Sequence, residues 1–129
     1  MHTPDSKDSL IAEVAKAADL CMKPYVHSVF LENQSNYDLD DLIFKIQCRN
    51  IDGDREESMD IELEVYKSGN DVNMTISWKS LIDRPILWQG KHAIWMDSSS
   101  GVQCETPSYG KPFESLARRL STVFKASLN

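Results

Sequence analysis

The two residue types that carry most metal and nucleophile chemistry are scarce in this chain of 129 residues, which has three cysteines and three histidines. Cys21, Cys48 and Cys104 form no CxxC pair, and His2, His27 and His92 lie far apart in sequence. That spacing offers no zinc site and no disulfide framework, and it fits a reducing compartment. Cys21 and Cys48 fall on the apolar faces of their elements, where a free thiol behaves as a small hydrophobe. Cys104 stands between Gln103 and Glu105, an acidic setting that does not lower a thiol pKa.

Long hydrophobic runs are missing as well. The apolar stretches are only a few residues long, against about 20 needed to cross a bilayer, and the opening MHTPDSKDS has no signal-peptide core. No membrane span is expected, and a cytoplasmic location is. The sequence contains no internal repeat, no GxGxxG, no P-loop and no nucleophile elbow, so neither a catalytic residue nor a cofactor is nominated. Asp52, Asp54 and Glu56 begin like a calcium loop, but Glu57 occupies the position that needs glycine and Gly53 comes too early. Arg118-Arg119-Leu120-Ser121 has the spacing of a basophilic kinase site, yet it lies inside a helical pattern and reads as surface charge.

What remains is the composition of an ordinary globular chain, 41% hydrophobic and 26% charged, long enough to bury its own core as one domain over 1–129. The net charge of −6 is uneven, with the last third (81–129) net positive. An acidic total of this kind argues against nucleic acid, which requires a clustered basic surface.

Hydrophobic periodicity predicts the elements. Leu10, Ile11, Val14, Ala17, Ala18, Cys21 and Met22 recur at spacings of three and four, a helix from about Asp5 to Met22 signalled by Thr3-Pro4 and ended by Lys23-Pro24. Val26 to Glu32 is rich in β-formers and is followed by a polar break at 33–36. Leu42, Phe44, Ile46 and Cys48 alternate with polar neighbours, as do Met59, Ile61, Leu63 and Val65, and then Val72, Met74, Ile76 and Trp78. Ser68-Gly69-Asn70-Asp71 reads as the hairpin turn between the last two. The acidic residues Asp60, Glu62 and Glu64 are expected to share the solvated outer face of their strand. A final helix begins at Pro112 and carries Phe113, Leu116, Ala117, Leu120, Val123 and Phe124 as one stripe.

An antiparallel meander with one apolar face needs a cover, and the two helices are the elements that can supply it. The expected fold is therefore α+β, a meander of about five or six strands with an N-terminal and a C-terminal helix on one face.

All three tryptophans fall between Val72 and Met96. Trp78 ends an apolar strand face and reads as core. Trp88 and Trp95 flank the turn Gln89-Gly90-Lys91-His92, with Pro85 opening the hairpin, Arg84 just upstream, and Gly90 free to take a positive φ. Indoles beside cations at a hairpin tip have the composition of a recognition surface, so Trp88, Trp95, Lys91, His92 and Arg84 are the candidate binding residues. On this reading one indole packs on the core, and the other lies beside a cation facing an acidic protein segment. The leading expectation is a non-enzymatic protein-binding or assembly-helper module. Its rival is a small-molecule-binding protein or enzyme with a pocket between sheet and helices.

The run PILWQGKHAIWMD (Pro85–Asp97), the cysteine-containing loop after it, the PFESLARRL segment from Pro112 to Leu120 and, more loosely, Glu62–Gly69 resemble a group of small uncharacterised cyanobacterial proteins. That resemblance implies a cytoplasmic protein of a photosynthetic bacterium and transfers no functional residue. The architecture is also similar to secretion-chaperone-like domains, which dimerise and bind client segments; a homodimer is compatible with that plan.

Overall fold

The computed structural model describes residues 6–32, 41–80 and 83–128. The helix-start signals at Thr3, Pro4 and Asp5 and the polar break at 33–36 lie outside the described residues. In chain order the elements are α1 (Ser6–Cys21), β1 (Val26–Leu31), β2 (Asp41–Arg49), a short 3-10 turn (Glu57–Met59), β3 (Ile61–Ser68), β4 (Asp71–Trp78), β5 (Ile86–Gln89), β6 (Ala93–Met96) and α2 (Gly110–Leu128). The six strands form one antiparallel sheet in the order β1-β2-β3-β4-β5-β6. Each strand thus pairs with its neighbour in sequence, the α+β meander that the alternation predicts.

One sheet face is apolar because the period-two pattern puts every second residue on it. Leu42, Phe44 and Ile46 of β2, Leu63 and Val65 of β3, and Met74 and Ile76 of β4 are all fully buried there. The stripes of both helices close over that face: Leu10, Val14 and Ala18 of α1 and Phe113, Leu116, Leu120 and Phe124 of α2 join the same core. α1 lies against β1 and α2, while α2 reaches β4 and β5. The helices therefore share one side of the sheet, and among the described residues neither helix covers the other side.

Two departures from the strand pattern have clear causes. Met59 does not begin β3; it ends the 3-10 turn, and the strand starts at Ile61. Asp60 is accordingly not on the solvated outer face but 4% exposed. Its carboxylate accepts the Cys48 backbone N–H at 2.8 Å and a two-pronged bond from Arg55 at 2.9 and 2.8 Å. A buried carboxylate requires such partners. Burial raises the Asp60 pKa, but the Arg55 and Cys48 hydrogen bonds and the charges of Arg55 and Lys79 outweigh it and leave the carboxyl below its ordinary value. The knot also acts on the neighbouring thiol. Burial first, then the charges of Asp60 and Glu56, push Cys48 up to about 11.

A second polar tie holds α1 to the edge strand. His27, whose side chain is only 1% exposed, places Nδ1 2.9 Å from the Asp19 carboxylate.

Candidate functional site

The uncovered sheet face carries the tryptophan arm and is the candidate site. Register builds it row by row. Ile43 stands opposite Glu64, Glu64 opposite Thr75, Thr75 opposite Trp88, and Trp88 opposite Ile94, so these five residues line up across β2 to β6. A neighbouring row runs from Phe30 through Lys45 and Glu62 to Ser77. At its open edge Val26 and Phe30 are exposed.

The two arm indoles point to opposite sides of the sheet, as alternation requires of residues on paired strands one register step apart. Trp95 faces the core at 3% exposure. Its ring stacks on Phe113, with centroids 6.2 Å apart and planes 10° apart, and its Nε1–H donates to the Glu114 carboxylate at 2.7 Å. Trp88 faces outward and is half-buried, with Nε1–H donating to the Tyr66 hydroxyl at 2.8 Å. The arm is thus half core and half surface.

Gly90 is required here for a reason other than a positive φ, which it does not adopt; the positive-φ glycines are Gly53, Gly69 and Gly101. The Trp88 indole folds back over the turn so closely that a Cβ on Gly90 would stand 2.4 Å from Cη2 and 2.8 Å from Cζ2. Close approach, the other use of glycine, fixes the ring. Beside it Lys91 and His92 are exposed, and with Ser68, Asp71, Asn73, Trp88 and Ile94 they line a hollow of about 390 Å³.

Arg84 does not join this cluster. Its guanidinium lies 5.1 Å from the centroid of the Tyr109 ring, over the core-side aromatic group. The structure therefore brings together Trp88, Lys91 and His92 of the five candidates, sets Trp95 beneath them in the core, and places Arg84 elsewhere. Tyr66 and Gly90 belong to the site although sequence reasoning did not nominate them.

The acidic part of the face differs from a freely solvated one. Glu62, Glu64, Ile43, Thr75 and Ser77 line a second hollow of about 180 Å³. The Glu64 pKa is raised by burial first, and then by a hydrogen bond to Asp41 and the charges of Asp41 and Glu62. The expectation of a solvated outer face for Glu62 and Glu64 is corrected: both are half-buried among the neighbouring side chains.

Among the described residues no cluster of three His, Cys, Asp or Glu side chains is placed to hold a metal ion, and no helix is long and apolar enough to cross a membrane. A family described as Domain of unknown function (DUF8659) matches residues 11–123, from within α1 to within α2. No curated protein and no solved structure matches the chain.

Proposed function

We propose that this chain, which belongs to the DUF8659 family, is a non-enzymatic protein-binding module whose contact surface is the outer sheet face centred on Trp88. One observation carries the reading. Trp88 is clamped by Tyr66 and Gly90 into a single orientation and yet remains half-exposed at the wall of an open hollow. A rigid indole presents a large contact area with little conformational entropy left to lose, the property that makes tryptophan frequent among the residues that dominate interfaces.

Lys91 gives the rim of the hollow a cationic side, with the exposed His92 ring beside it. An acidic protein segment with an apolar side chain to set against Trp88 and Ile94 is the complement, because rim charges steer encounter and reject like-charged partners. The carboxylates Glu62 and Glu64 on the rest of the face would orient such a segment by repulsion, holding its acidic part at the Lys91 end, where Asp71 limits how much negative charge the hollow accepts.

The test is partner capture from the native cell by the tagged chain, with Trp88→Ala and Lys91→Glu compared with wild type after each is shown to be folded. Loss of the same partner in both variants is the expected result. Unchanged recovery by two folded variants removes the outer face from the function.

A further inference from the structure

On the covered side of the sheet, where the end of α1 meets the start of α2, Met22, Lys23, Tyr25, Met59, Trp78 and Tyr109 surround a cleft of about 170 Å³. Its walls are mainly apolar, and its size is close to the roughly 150 Å³ cavity that accepts a benzene ring in another protein. Two of these walls carry a polar atom with no hydrogen-bond partner among the described residues, Trp78 Nε1 and the Tyr109 hydroxyl. Both atoms are buried, and Trp78 as a whole is only 5% exposed. The other two indoles donate to a side-chain oxygen, Trp88 to Tyr66 and Trp95 to Glu114.

The two atoms are neighbours, on rings packed edge to face with centroids 5.7 Å apart. Burial raises the Tyr109 pKa above its ordinary value, against the smaller lowering effects of Arg84 and of the nearby Trp78 indole N–H, and the pair closes no hydrogen bond of proper geometry. A buried donor left in this condition costs more than a made bond gains, so an acceptor that both groups could reach would bind with that cost relieved. The surrounding charge favours an anion. Arg84 sits over the Tyr109 ring, and Lys23 stands exposed at the wall.

We propose that this cleft binds a small monocarboxylate bearing one ring or a short aliphatic chain, the carboxylate accepting from Trp78 Nε1–H and the Tyr109 hydroxyl. The apolar body lies against Met22 and Met59. A turn of the half-buried Tyr109 side chain, which stands just ahead of α2, opens its hydroxyl and Trp78 Nε1 to the cleft that both residues line. The site is separate from the outer face, on the opposite side of the sheet, and does not depend on it.

Benzoate and toluene are the probes, since they share a ring and differ in the acceptor. They are titrated into the ¹⁵N-labelled chain, with the three indole N–H signals assigned by single Trp→Phe variants. Benzoate is expected to move the Trp78 signal and leave those of Trp88 and Trp95 in place, with a dissociation constant on the order of 1 mM for so small a ligand. Toluene, Trp78→Phe and Tyr109→Phe should each bind about tenfold more weakly than the benzoate and wild-type pair. Tyr109→Phe keeps the test decisive if Trp78→Phe does not fold. A Trp78 signal that ignores benzoate, equal binding of toluene, or a folded Tyr109→Phe that binds like wild type overturns the proposal.

Discussion

Gly90 lies beneath the indole of Trp88, and the space that its missing Cβ leaves is the space the ring occupies. Gly90→Ala puts a methyl group 2.4 Å from Cη2 and 3.0 Å from the Asn73 amide oxygen, so the ring must move. Overpacking of this kind costs about 1 to 3 kcal/mol. The bond from Trp88 to Tyr66 should break, and Trp88 fluorescence should shift to the red as its indole becomes wetter. In a Trp88→Ala background the same substitution should cost much less; equal cost in both backgrounds, measured by denaturation, would show that the ring is not what Gly90 accommodates.

The Asp60 knot gives the protein a specific acid limb. A carboxyl whose folded pKa lies below its unfolded value contributes stability above the unfolded pKa, and that contribution is lost as pH falls through the folded one. Asp60→Asn should therefore lower the unfolding midpoint at neutral pH and narrow its gap from wild type as pH drops below the ordinary carboxylate range. A gap that stays constant down to strongly acidic pH would place the stabilisation elsewhere.

Glu64 has the opposite sign. Its raised pKa means that the ionised form is less welcome in the folded state than in the unfolded chain, so it costs stability at pH values above the ordinary carboxylate range. Glu64→Gln is expected to raise the thermal midpoint slightly at neutral pH and to match wild type in acid, where both side chains are neutral. The measurement is a pair of melting curves against pH, and a variant less stable than wild type at neutral pH contradicts it.

Leu63 and Leu120 face each other's layer, one on β3 and the other on α2, both fully buried. Truncation of either to alanine should cost about 2 to 5 kcal/mol, whereas Arg118→Ala on the exposed side of α2 should be nearly silent. Chemical denaturation of the three variants checks the helix-on-sheet packing directly.

The parts of this fold that sequence made legible are those in which one period runs unbroken. From Leu42 to Cys48 the alternation names the buried face residue by residue, and from Val72 to Trp78 it does so except at Asn73, which is buried on the opposite face; the α2 stripe does the same at helical spacing. The reading failed at Asp60 because alternation continued backward from Ile61 looks the same whether or not a 3-10 turn has already broken the strand. Nothing in that pattern says that Arg55 folds back onto the carboxylate. For the arm, alternation around the turn sets Trp88 and Trp95 out of step, but the partners that fix each ring, Tyr66 and Glu114, are 22 and 19 residues away. Adjacency alone groups Arg84 with the arm; Pro85 and the strand that follows carry the chain away from it, and the guanidinium finds Tyr109 instead.

The neighbour-to-neighbour strand order also bears on how the chain reaches this state. Every strand pair in the sheet joins segments consecutive in sequence, so each pairing closes only a modest loop, and mostly local contacts of this kind favour rapid folding. The packing of α1 on α2 joins opposite ends of the described chain and closes the largest loop. A hairpin pair such as β3 and β4 is accordingly the natural nucleus, with helix docking late. Amide protons of α1 should then exchange with solvent through a partial opening that leaves the central strands protected, exposing the apolar sheet face before the sheet itself comes apart.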